Sequence, residues 1–119
     1  KKLYGTRIII SESTFNTLKQ ANTKFFMREL DLIRVKGKKK PVKIYEVIEN
    51  PAKEIFIKDF EKALNLYKNC RFKEAVEIFS EIKKKFNDKP STVYEERCRF
   101  YLQNPPPSDW DKVYTAKEK

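Results

Sequence analysis

The sequence predicts a small α+β protein in which a strand, a helix and a β-hairpin are followed by a helical hairpin and a third helix. Short runs of β-branched and alternating apolar residues fill the first 50 positions, and apolar residues recur at three- and four-residue spacing after them. The composition agrees, because 39% hydrophobic and 37% charged residues with only two glycines are typical of helices with solvated faces. A length of 119 residues suits one small domain or two subdomain-sized parts.

The first predicted elements are a short strand and a short helix. Residues 7–10 read Arg-Ile-Ile-Ile, a run typical of a buried strand, and this run ends at Ser11. Phe15 and Leu18 then share one face of a helical pattern, for which Ser11 or Ser13 can serve as the N-cap. We therefore expect a strand that passes directly into a helix.

A β-hairpin is predicted next. Residues 25–35 alternate as a strand with mixed faces, and residues 42–48 alternate again. Between them the tract 36–41, Lys-Gly-Lys-Lys-Lys-Pro, interrupts the pattern. Gly37 supplies the flexibility of a turn, and Pro41 restricts the residue before it, so the two strands are expected to pair.

Asn50-Pro51 is the predicted domain boundary. It closes the last strand pattern and precedes the change to helical periodicity. The two predicted parts are therefore residues 1–50 and residues 51–119.

A helical hairpin and a third helix are predicted after this boundary. The apolar positions of the hairpin are Phe56, Phe60, Ala63, Leu64 and Tyr67, then Phe72, Ala75, Val76, Phe79 and Ile82. The third helix runs through residues 93–102 and stops at Asn104-Pro105. Trp110, in the short tail, is expected to pack back on the helices and bury its apolar area.

The positive charge of the chain is concentrated in its first part. The net charge is +10, of which residues 1–50 carry +7 and residues 51–119 carry +3. Such an excess suits nucleic acid, acidic lipid or a polyphosphate, and composition does not choose among them. Nucleic acid is not the expected partner, because the basic tract is neither interleaved with stacking aromatic residues nor placed on a recognition helix.

No catalytic or ligand-binding role is assigned to the other polar residues. Glu95, Glu96 and Arg97 are interpreted as helical charge pairs, and the acidic residues of the tail, Asp109 and Asp111, as a polar surface. The two cysteines, Cys70 and Cys98, are interpreted as buried thiols in a reducing compartment. With no histidine, the chain alone cannot supply a zinc site or a histidine-based catalytic system.

The sequence of the first part resembles the end of the catalytic domain of class III adenylate and guanylate cyclases. The resemblance covers about residues 3–49 and rests on Tyr4–Ser11, Leu30–Lys38 and Pro41–Val47. Residues 55–114 are similar to the extension that follows this domain in many bacterial members, a tetratricopeptide-like hairpin with a Pro-Pro and Trp-Asp tail. One repeat is visible, which is too few for a solenoid.

The resemblance implies a role for one lysine. Lys36 falls on the position of the family's lysine that contacts the nucleotide triphosphate, and Gly37 and Lys38 are candidate supporting residues. Without the resemblance, a lysine in a hairpin turn is a solvated loop charge. Lys39 and its neighbours could steer a nucleotide electrostatically, and solubility of the turn explains them equally well.

The resemblance also implies what this chain lacks. The family's catalytic residues and its aspartates for Mg²⁺ (or Mn²⁺) would precede Lys1, so no catalytic or metal-binding residue is assigned and the chain alone is expected to be inactive. The complete protein would convert ATP, with GTP as the second choice, to the 3′,5′-cyclic nucleotide and pyrophosphate. Its expected partners are the rest of the cyclase domain and a second cyclase domain in a homodimer. A cytoplasmic location is expected, with a membrane anchor elsewhere in the parent left open. The competing hypothesis is a non-enzymatic helical module that binds a protein partner.

Overall fold

The computed structural model describes residues 8–21, 26–34, 40–48 and 54–114. In these residues a three-stranded antiparallel sheet is combined with four helices. Along the chain they are β1 (Ile9–Ser11), α1 (Glu12–Gln20), β2 (Phe26–Ile33), β3 (Val42–Ile48), α2 (Glu54–Lys68), α3 (Phe72–Phe86) and α4 (Lys89–Gln103). The predicted α+β fold class and its order of elements are confirmed, whereas the tetratricopeptide-like character of the helices stays a prediction.

The transition from β1 to α1 is made by a capping serine. The Ser11 hydroxyl oxygen accepts a hydrogen bond from the Thr14 backbone N–H at 3.2 Å, which satisfies one of the unpaired donors of the first turn. The helix lies against the sheet through Phe15, whose ring stacks on Tyr45 of β3 with centroids 3.8 Å apart. Of the two predicted N-cap residues, Ser11 and Ser13, Ser11 is the one that caps the helix.

The predicted hairpin is formed by β2 and β3, and it contains a β-bulge. Pairing runs from Phe26 opposite Ile48 to Ile33 opposite Val42, with a register shift between Glu29 and Asp31. Leu30 is therefore the extra residue of β2. In an uninterrupted strand, Leu30 and Asp31 would point to opposite faces, but at the bulge both are buried. The simple alternation predicted for this strand is thus broken at its centre.

The helices bury a continuous aromatic core. Phe60 of α2 meets Phe79 of α3 and Tyr94 of α4, with ring centroids 5.5 and 5.9 Å apart. Asp88 caps α4 by accepting from the Ser91 backbone N–H. Trp110 packs against the rings of Tyr67, Phe72 and Tyr101, so its predicted docking is confirmed.

The sheet lies between α1 and the helical extension, which the structure describes over residues 54–114. Four consecutive residues of β3, Tyr45–Ile48, are buried, which requires cover on both faces of the sheet. Tyr45 contacts α1, whereas Ile48 belongs to the core of the helical extension. The described chain is therefore three layers deep at this point.

Two predictions about the chain's organisation have different outcomes. The boundary at Asn50-Pro51 lies outside the described residues, so the division into residues 1–50 and 51–119 stays a prediction. Cys98 is buried as expected, but Cys70 is exposed, and the prediction of two buried thiols is wrong for this residue. Cys70 lies in the turn between α2 and α3 with a positive φ of 63°, where the helix faces no longer cover it. None of the helices in the described ranges is long and apolar enough to cross a membrane.

Candidate functional site

The predicted phosphate-binding residues fall, in the sequence, between the two strands of the hairpin. Lys36, Gly37 and Lys38 fall outside the described residues, and their predicted role stays a prediction. The structure describes both flanks of this segment: β2 ends at Ile33 and is followed by Arg34, and Lys40 precedes β3. What holds these flanks in place is therefore the part of the candidate site that the structure describes.

Charged side chains between Arg28 and Arg34 fix strand β2, and the residue after it, to the helical extension. Four successive ionic contacts join β2 or the residue after it to the extension. These contacts are Arg28 with Asp88, Glu29 with Lys68, Asp31 with Arg97, and Arg34 with Asp111. Their sequence separations range from 39 to 77 residues, so they are formed by tertiary structure alone.

Arg28 is the most buried member of this set. Its side chain is fully buried, and two of its nitrogens donate to the Asp88 carboxylate at 3.0 and 2.8 Å while Nε donates to Glu46 at 2.8 Å. The guanidinium lies over the Phe60 ring, 4.4 Å from its centroid. Burial alone would lower the pKa of this guanidinium, but the two carboxylates raise it overall, so Arg28 stays charged. This network joins both strands of the hairpin to the start of α4.

The second buried contact lies at the bulge. Arg97 donates two hydrogen bonds to the two Asp31 carboxylate oxygens, each at 2.9 Å, in the paired geometry that suits a guanidinium and a carboxylate. The Tyr94 hydroxyl donates to the backbone carbonyl of Leu30 at 2.6 Å and lies 3.1 Å from an Asp31 oxygen. Burial would lower the pKa of Arg97, but the hydrogen bond and charge of Asp31 raise it. The two residues that form the bulge are thus held by α4.

The outermost contact closes one side of an open groove. A cavity of about 590 Å³ lies between the end of α4 and the tail, next to Arg34 and Asp111. Its apolar wall is formed by Tyr101, Trp110 and the prolines at 105–107. The Arg34 and Asp111 side chains are 48% and 43% exposed, so this contact is solvated and weaker than the buried ones. The groove borders Arg34, the last described residue before the basic tract.

Sequence reasoning missed most of these residues. The sequence pattern indicates a helical charge pair for Arg97 and a polar tail for Asp111, but Arg97 pairs with Asp31 of β2 and Asp111 with Arg34, the residue after β2. Glu95 does form an ion pair within α4, with Arg99. The available signal was the presence of three charged residues, Arg28, Glu29 and Asp31, among the apolar residues of one strand, because a buried charge is retained only with a partner. The sequence does not say which distant residue that partner is.

The described residues do not fit a metal ion. No three of the histidine, cysteine, aspartate and glutamate side chains in the described ranges come together as ligands. The buried carboxylates of Asp31 and Asp88 are occupied by guanidinium groups.

The fold and the contacts define a class of molecule, an α+β unit in which a helical extension is fixed to one strand of a β-hairpin. The chain is 32% identical over 106 residues to a segment of a Dictyostelium discoideum protein named "Adenylate cyclase, terminal-differentiation specific". The match covers 82% of this chain, so it includes residues on both sides of position 50, and it spans 5% of the length of that protein. No family model matches the chain. No solved structure matches it either.

This similarity supports a cyclase-related region. It relates the sheet and the helical extension together to one segment of a protein that is named an adenylate cyclase. The bacterial origin and the tetratricopeptide-like character of the extension stay predictions.

Proposed function

We propose that this chain is the C-terminal part of an adenylate cyclase catalytic domain together with its helical extension. The observation that carries the proposal is the 32% identity to the Dictyostelium protein over 82% of this chain. In the full-length protein the reaction is the conversion of ATP to 3′,5′-cyclic AMP and pyrophosphate, with GTP as the second-choice substrate. ATP as substrate agrees with a cytoplasmic location of this part.

Within that protein, the chain contributes a phosphate contact. Lys36 bears the charge that meets the triphosphate, and Gly37 and Lys38 support it. A compact ammonium is a suitable point charge for a phosphate oxygen, and the glycine beside it lets the backbone approach a ligand closely. The groups that hold Mg²⁺ or Mn²⁺ and stabilise the transferring phosphoryl group are supplied by residues outside this chain.

The open edge of strand β1 is the proposed contact with the rest of the cyclase domain. In the described part of the sheet the strand order is β1-β3-β2, so β1 pairs on one side only, with β3. Its other edge suits pairing with the rest of the cyclase domain, because an open edge presents unpaired N–H and C=O groups. The second cyclase domain of a homodimer completes the active site in this proposal.

The competing function is a helical module that binds a separate protein. An intramolecular role is supported by the four ionic pairs through which residues of the helical extension already contact β2 or the residue after it. The partner of this face is the hairpin of the same chain.

The proposal is tested by two lysine substitutions in the full-length protein. Lys36→Ala should lower kcat/KM for ATP by about 30- to 1,000-fold, the loss of roughly 2–4 kcal/mol of transition-state stabilisation. Lys39→Ala, the matched control three residues along the same tract, should do little. If both variants show similar small losses that disappear at high salt, the tract acts only by general steering, and Lys36 is removed from the site.

A further inference from the structure

The bulge in β2 determines the face on which each later residue of the strand lies. Before the bulge, Glu29 is opposite Tyr45; after it, Asp31 is opposite Ile44, with Leu30 inserted. Side chains alternate with a period of two, so the loss of this one insertion would move every residue beyond it to the other face. The register of the distal half of the hairpin therefore depends on the bulge.

The residues that stabilise this bulge belong to α4 and not to the sheet. A bulge leaves its extra residue without a ladder partner, and the Leu30 carbonyl instead accepts from the Tyr94 hydroxyl at 2.6 Å. Arg97 holds both oxygens of Asp31 at 2.9 Å. Asp31 is buried and also accepts from the Leu32 backbone N–H at 2.8 Å, but Arg97 supplies a paired cation, so the loss of Arg97 would favour an arrangement in which this carboxylate reaches water. A one-residue change of register would move Asp31 to the other face of the strand.

We propose that Tyr94 and Arg97 are positioning residues, which hold the bulge and so set the hairpin register that presents Lys36 to the triphosphate. This inference rests on the proposed function. It assigns the helical extension a role in the reaction, because helix α4 then fixes the strand that precedes the tract containing Lys36. The exposed Arg34–Asp111 contact adds a second, weaker restraint at the distal end of the same strand.

A double-mutant cycle in the full-length protein tests this dependence. The variants are Tyr94→Phe, Lys36→Ala and the two combined, with KM and kcat for ATP measured for each. Tyr94→Phe keeps the ring that packs against Phe60 and Phe79 and removes only the hydroxyl. It should lower kcat/KM by about 3- to 10-fold, mainly through KM, because the buried hydroxyl that contacts the Leu30 carbonyl and Asp31 is lost.

The combined variant distinguishes positioning from general stability. If the bulge acts through Lys36, Tyr94→Phe should have little further effect once Lys36 is alanine. Arg97→Gln should behave in the same way with a larger loss, and Arg97→Lys should recover only part of it, because an ammonium cannot reproduce the paired hydrogen bonds. Arg99→Gln is the matched control, since Arg99 is on the same helix, is exposed and pairs with Glu95; it should change kcat/KM by less than about twofold.

The outcomes separate this inference from the function on which it rests. If Lys36→Ala has no effect on turnover, the proposed phosphate contact fails. If Lys36→Ala is severe but the loss from Tyr94→Phe is fully additive to it, or absent, the positioning role is overturned and the phosphate contact stands. If Arg97→Gln prevents folding, the cycle of Tyr94→Phe with Lys36→Ala still tests the positioning role.

Discussion

Replacement of Arg28 by methionine tests how strongly the hairpin is bound to the helical extension. Methionine keeps the apolar stem near Phe60 and removes the charge. The Arg28 side chain is fully buried, and it satisfies Asp88 with two hydrogen bonds and Glu46 with one. The substitution therefore leaves two buried carboxylates without their shared cation.

The expected cost follows from these contacts. Removal of one partner of a buried ion pair costs about 3–5 kcal/mol, because the remaining charge is desolvated and uncompensated. Asp88 keeps its hydrogen bonds from Ser91, at 3.2 Å to the backbone N–H and 2.7 Å to the hydroxyl, so the helix cap is retained. The loss should therefore lie in this range and not greatly exceed it.

Urea unfolding of the 119-residue chain, followed by circular dichroism, measures this loss. With a slope of about 2 kcal/mol per molar urea, Arg28→Met should lower the midpoint by about 1.5–2.5 M. Arg99→Met, at an exposed ion pair on α4, should change the free energy of unfolding by about 0.5 kcal/mol or less. Asp88→Asn in the Arg28→Met background should recover part of the lost free energy of unfolding. This second change removes one of the two buried carboxylate charges and keeps an oxygen that can accept the N-cap hydrogen bonds of α4. A midpoint unchanged by Arg28→Met would refute the reasoning.

Four further outcomes are expected of the same chain. Phe79→Ala should lower the free energy of unfolding by about 3–5 kcal/mol, because the ring is fully buried. Leu102→Ala, at a side chain that is 47% exposed, should lower it by about 0.5 kcal/mol or less. Equal losses for the two variants in urea unfolding would contradict the assigned helix faces. Tyr67→Phe should raise the thermal midpoint, because the Tyr67 hydroxyl is buried without a hydrogen-bond partner in the described part of the chain, and a lower midpoint would show that this hydroxyl is paired. Burial raises the pKa of the Cys98 thiol to about 12 while Cys70 is exposed, so a thiol reagent at pH 8 should modify only Cys70, and rapid labelling of both would contradict the burial. Incubation of the purified chain with ATP and Mg²⁺ or Mn²⁺ should yield no cyclic nucleotide, and product above a blank would overturn the assignment of the catalytic groups to residues outside it.

Local patterns in the sequence were sufficient for the order of elements. The alternation of residues 42–48 predicts a strand, and β3 has these bounds. Ser11 was one of two candidate caps, and its hydroxyl accepts the capping hydrogen bond. The spacing of Phe60 and Phe79 predicts their shared core, and the two rings meet. These features depend on neighbouring residues and on the period of each element, which are readable along the chain.

The sequence by itself thus determined the α+β class, the hairpin and the helical core. Only the tertiary structure decided that Leu30 forms a bulge and that Asp31 pairs with Arg97 of α4, 66 residues away. The physical reason is that hydrophobic periodicity states which face of an element is buried, but not which distant element covers it. A charged side chain has many candidate partners along the chain, and it is packing of the helices on the sheet that brings one of them within hydrogen-bonding distance.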